Sequence, residues 1–137
     1  NPHKVPLPSL AIEIILEAKE LAKNNQWVFP GISGDKCLSP RTISQIVIKH
    51  RDLFGIDHFT VHDLRRTMAS LMTGMGIPRL TVSKVLNHSE GGTTRIYDRH
   101  TYDAEKLQAL ETWERKLKNI LTGEKAEIVP LKKKHQG

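Results

Sequence analysis

The sequence has one cysteine, Cys37, in 137 residues. A lone thiol excludes an internal disulfide framework and a multi-cysteine zinc site. No apolar run approaches the roughly 20 residues needed to span a bilayer. There is no signal peptide, so a reducing cytosolic compartment is expected. There is no initiating methionine either, and a start at Asn1 reads as a piece of a longer protein. No internal repeat is present. Acidic residues are the minority charge: 15 Asp and Glu against 21 Lys and Arg leave a net charge of +6. With a pI of about 9.6, this favours an anionic partner, nucleic acid first and an acidic membrane surface second. The length fits one domain. The mixture of 38% hydrophobic and 26% charged residues is that of an ordinary globular chain.

Residues 1–9 hold three prolines and read as an extended lead-in with a short edge strand at 3–7. Ser9 is placed to cap an amphipathic helix running to about residue 23. Trp27, Val28 and Phe29 read as a buried extended segment. Ser39–Pro40 is a helix start signal, and Ile43, Ile46, Val47 and His50 carry one face of the helix to about residue 51. Thr60 with Asp63 forms a variant capping box for a third helix over 61–73, expected to bury Leu64, Met68 and Leu71. Pro78 opens a fourth, with Leu80, Val82, Val85 and Leu86 apolar, ending near Asn87 and His88. Residues 89–92 read as a flexible turn. Asp103 is placed to cap a long helix to about residue 121, its apolar stripe running through Leu107, Leu110, Trp113, Leu117 and Ile120. The fold expected is mainly α with one or two short N-terminal strands. Residues 1–123 form the folded part and 124–137 a polar, flexible tail.

Three polar clusters stand out. His62 and Arg65 are i and i+3 in the first, so on a helix they share a face. An imidazole beside a guanidinium fork can grip a phosphate, although a helix start with solvated cations has the same spacing. His88 closes the fourth helix, where a cation is also favoured by the helix dipole. Tyr97 lies nine residues later, between Arg95 and Arg99. A lone tyrosine is ordinarily a packing residue, but two flanking arginines favour an anionic neighbour.

Together, His62-Asp-Leu-Arg65-Arg66, Leu86-Asn87-His88-Ser89 and Thr93-Thr-Arg-Ile-Tyr97 resemble the motifs of the tyrosine recombinase (integrase) family. The wording is most similar to integrases of temperate phages and genomic islands. Asn87 stands where glycine is commoner, and asparagine also accepts left-handed backbone angles. The resemblance implies that this chain is the C-terminal part of the helical catalytic domain. It implies DNA strand exchange with no metal and no cofactor, through a 3′-phosphotyrosyl intermediate. Tyr97 matches the nucleophile and Arg65 the second arginine on the phosphate. His62 matches the position tied to proton transfer, and His88 the hydrogen-bond donor to the phosphate. Lys4, Arg41, Arg66, Lys84 and Arg95 are candidate DNA contacts. The implied partners are double-stranded DNA at attachment sites and other protomers on that DNA. No membrane and no small-molecule substrate are implied, and the setting is the bacterial cytoplasm at the nucleoid.

The family's first arginine and hairpin lysine are expected upstream of Asn1, because VPL matches the end of its hairpin and Lys4 sits a few positions late. The chain alone is therefore expected to bind DNA weakly and not to recombine it. Three other readings compete. Helices 61–73 and 78–87 fit the outline of a non-enzymatic helix-turn-helix module, with Arg79, Thr81 and Lys84 as base readers, but this leaves Tyr97 unused. A metal phosphohydrolase would use the His62–Asp63 dipeptide, or His58 and His62 as an i, i+4 clamp. No Glu follows His58, and no upstream His completes such a site. A type IB topoisomerase would share the nucleophile chemistry, but the HDLRR and LNHS wording favours integrases.

Overall fold

The computed structural model describes residues 3–88 and 100–123. Among the described residues five α-helices follow in order: α1 Ser9–Leu21, α2 Pro40–Lys49, α3 Val61–Gly74, α4 Arg79–Val85 and α5 Asp103–Thr122, with a 3₁₀ turn at Arg51–Phe54. The mainly helical class is as expected. Residues 3–8 run as coil with no strand assigned. The one bridge among the described residues is antiparallel, between Pro30 and Cys37. It lies in a tight loop where Gly31 N–H donates to the Lys36 carbonyl and Leu38 N–H to that of Phe29, both at 2.7 Å.

The core sits where α3, α4 and α5 meet. Met72 is fully buried, with Val82, Val85, Leu86, Ala109 and Leu110 around it. Met68, Ala69, Met75, Ile77 and Trp113 pack against this cluster. Leu64 was expected inside but is 57% exposed. It continues the 64–68–72–75 stripe of α3, but α4 has only seven residues and covers only the C-terminal part of that stripe. Trp27 and Phe29 are likewise exposed rather than buried. Neither α1 nor α2 buries a residue fully.

The expected stripe on α5 is rotated. Leu110, Trp113 and Leu117 are covered, while Leu107 and Ile120 are exposed and Lys106 and Glu114 are buried. Each buried charge has a partner in the N-terminal segment, which is what makes its burial tolerable. Lys106 Nζ donates to the Lys4 carbonyl at 2.7 Å and pairs with Asp103 at 2.8 Å. Glu114 Oε1 accepts from Ser9 Oγ at 2.6 Å and Leu10 N–H at 2.5 Å. Ser9 is thus not the cap of α1. Pro8 takes that position, and Glu114 satisfies the open donors of the first turn from another helix. Asp103 is not a cap either. Tyr102, at φ 56°, precedes α5, and Asp103 lies in the first turn beside Lys106.

The Ser9 hydroxyl, the Leu10 N–H and Lys118 hold the Glu114 carboxyl down to about 2. A depressed folded value means that this contact stabilises fully above the ordinary glutamate range. It is lost as pH falls from 4.5 toward about 2. Glu114→Gln should therefore flatten the acid limb of a Tm-against-pH curve over that window. An unchanged slope would show that Glu114 is no better held in the folded chain than in the unfolded one.

Candidate functional site

The start of α3 is fixed by its sequence. Thr60 Oγ1 accepts from Asp63 N–H at 3.4 Å, and Asp63 Oδ2 accepts from Thr60 N–H at 3.0 Å and Thr60 Oγ1 at 2.7 Å. This is the capping box the spacing indicates. The bonds from Thr60, and then Arg66, hold the Asp63 carboxyl below its usual range. The box places His62 in the first turn of α3 and Arg65 one turn further along. Both side chains are exposed.

The end of α4 is equally well defined. Asn87 adopts φ 54°, the left-handed angle that its place in the motif requires. Its N–H donates to the Lys84 carbonyl at 3.3 Å, and the His88 N–H to that of Ser83 at 3.0 Å. This pair of bonds is the Schellman termination. It turns His88 out into solvent and leaves the Leu86 carbonyl directed at α3, where Arg65 Nη2 donates to it. Arg65 and the His88 turn are thereby joined by a direct contact between α3 and α4. One of five guanidinium donors is used in this way, leaving the rest of the fork for an anion. Asn87→Gly should keep or slightly raise the melting temperature. Asn87→Val should cost about 1–2 kcal/mol, the penalty for a branched residue at that angle. Equal stability of the two variants by thermal denaturation would mean that the turn does not need its left-handed residue.

The remaining site candidates divide. Arg66 forms an exposed pair with Asp63 at 3.6 Å, of little energetic weight. Lys84 is half-buried, and its Nζ lies 4.8 Å from the centre of the Tyr102 ring, a contact that sequence spacing does not indicate. The side chains of Lys4 and Arg41 are exposed. Among the described residues no hydrogen bond or ion pair joins them to His62, Arg65 or His88. Tyr97 and Arg95 lie outside the described residues, as do the segment 89–99 and the tail 124–137.

Two competing geometries fail. His58 sits in a loop at φ 40° beside Arg51 and Asp57, and α3 begins only at Val61. His58 and His62 are therefore not i and i+4 on one helix. For a helix-turn-helix reader, Thr81 is buried and Lys84 is turned onto Tyr102. One face of a seven-residue α4 goes into the core, which leaves little of it to enter a groove.

Spacing did not single out the crease between α3 and α4 beside His88. It is an open cavity of 390 Å³ lined by Ala69, Ser70, Thr73, Arg79, Val82, Ser83, Leu86 and His88.

No solved structure matches the chain. Among curated proteins it is similar to two proteins named tyrosine recombinase XerC. That of Corynebacterium efficiens is 35% identical over 88 residues, covering 64% of this chain and 28% of that protein. That of Corynebacterium glutamicum is 30% identical over 90 residues, covering 66% and 29%. The chain thus spans less than a third of the length of the curated relatives it matches. The profile of the phage integrase family matches residues 2–104, a stretch that includes all three motifs, and the chain belongs to that family.

Proposed function

We propose that the protein containing this chain performs site-specific DNA strand exchange with Tyr97 as nucleophile. The supporting observation is the contact between Arg65 and the Leu86 carbonyl. It brings the second-motif turn and the first-motif arginine to one place, as a shared phosphate site would need. Both relatives bear the name tyrosine recombinase.

In this reading Arg65 and His88 donate to the non-bridging oxygens of a scissile phosphodiester. A phenol, with an ordinary pKa near 10, attacks only as its proton leaves or its anion is held by cations. His62 serves that proton transfer. The Tyr97 oxygen bonds to phosphorus, the 5′-oxygen departs with a proton, and a 3′-phosphotyrosyl link remains. Charge developing on the phosphate is met by fixed donors. The bond is conserved in the covalent link, so rejoining needs neither ATP nor a metal. The biological setting is integration or excision of a phage or genomic island, with several protomers on double-stranded attachment sites in the bacterial cytoplasm. Residues 1–123 act as the C-terminal portion of the catalytic domain and 124–137 as a polar tail. In this reading residues 1–137 alone bind duplex DNA weakly and with strong salt dependence, and do not recombine it.

The test uses the parent-length protein on a nicked duplex that traps the cleaved state. Covalent adduct should form equally with and without EDTA, and Tyr97→Phe should abolish it while DNA binding persists. Loss of cleavage in EDTA would favour a metal phosphohydrolase instead.

A further inference from the structure

The crease between α3 and α4 has a composition suited to one class of ligand. No carboxylate lines it. Arg79 and His88 stand at opposite ends of α4, and Ser70 of α3 and Ser83 of α4 also line the crease. The floor is apolar, from Ala69, Val82 and Leu86. Thr73 is excluded from the polar set because its hydroxyl donates to the Ala69 carbonyl at 2.9 Å. Arg79 is exposed and has no hydrogen bond or ion pair among the described residues. An exposed guanidinium with no partner among the described residues, beside hydroxyls and an apolar floor, suits a phosphate and the sugar attached to it.

The crease also adjoins the site already described. Leu86 floors it, and the Leu86 carbonyl receives Arg65. The α4 helix is about 10 Å long, so Arg79 is too far from His88 to share its phosphate. It would therefore meet a different phosphate of the backbone.

We propose that the α3–α4 crease, with Arg79, Ser70 and Ser83 as donors, is a second phosphate subsite that holds the DNA backbone beside the scissile phosphate. The inference rests on the phosphodiester reading above. It assigns to Arg79 a backbone contact, not the reading of bases.

The experiment is a set of binding isotherms for this chain on a mixed-sequence duplex, from low to moderate salt. Arg79→Gln should reduce the slope of log K against log salt by about 0.9, one phosphate contact, and weaken binding most at low salt. Arg79→Lys should restore the slope. Ser70→Ala with Ser83→Ala should weaken binding and leave the slope alone, because neutral donors release no counterion. Melting temperatures of all variants should match the parent chain, since these side chains lie outside the core. An Arg79→Gln slope equal to that of the parent overturns the subsite while leaving the phosphodiester reading intact. An altered preference among duplex sequences with an unchanged slope would make Arg79 a base reader and also overturn it. No salt-dependent binding by the parent chain itself would remove both the subsite and the phosphodiester reading.

Discussion

Arg65→Gln in the parent-length protein is expected to slow strand cleavage by about two to three orders of magnitude, the usual loss for one donor at a developing oxyanion. Affinity for duplex DNA should fall far less, because many phosphate contacts share the binding and only one is removed. The asymmetry follows from where Arg65 is held. One donor is anchored on the Leu86 carbonyl, so in the proposed site the fork would meet the phosphate without first being ordered. Arg65→Lys should recover little of the rate, since an ammonium cannot bridge the carbonyl and a phosphate with a planar fork. Cleavage by Arg65→Gln at near-parental rate would remove Arg65 from the site. An equal loss of affinity and rate would make it a binding residue only.

Met72→Ala should destabilise the chain by about 2–5 kcal/mol. Met72 is the one large side chain with no exposure among the described residues. Its neighbours Val82, Val85, Leu86, Ala109 and Leu110 come from the two helices that close over α3. With so few buried residues, the loss is a large part of the total stability of a small domain. Because Leu86 is in this cluster and also carries the carbonyl that receives Arg65, loosening the core should loosen the site too. Urea denaturation measures the effect. A shift below about 1 kcal/mol would mean that α4 and α5 collapse readily into the space Met72 leaves.

The sequence was most legible where chemistry acts locally. Thr60 and Asp63, Ser39 before Pro40, and Asn87 at its positive φ each behave as their side chains require, because a cap or a left-handed turn is decided within a few residues. It was least legible where a distant segment changed the outcome. Ser9 looked like a cap, but Glu114, 105 residues away, takes its hydroxyl. Lys106 and Glu114 fall outside the apolar stripe that the spacing picks out, yet both are inside because the 3–10 segment supplies their partners. Leu64 looked like core, but a short α4 leaves it uncovered. The motif residues could be named from spacing and resemblance. The Leu86 carbonyl that ties Arg65 to the His88 turn could not, because a main-chain acceptor leaves no mark on residue type. Arg79 was visible only as a base reader, since the crease it borders needs two helices packed side by side.

The central claim is that Tyr97 attacks a phosphodiester held by Arg65 and His88, with His62 serving the proton transfer. Only one other tyrosine is present, Tyr102. Its ring lies against Lys84 and edge-on to His100, with the ring centres of the latter pair 4.5 Å apart, and its backbone leads into α5. That position suits an anchor and not a nucleophile. Peptide mapping by mass spectrometry of the covalent adduct formed on a nicked duplex should find the nucleotide on Tyr97, linked through its 3′-phosphate. A nucleotide on Tyr102, or a 5′-phosphate linkage, would contradict the account.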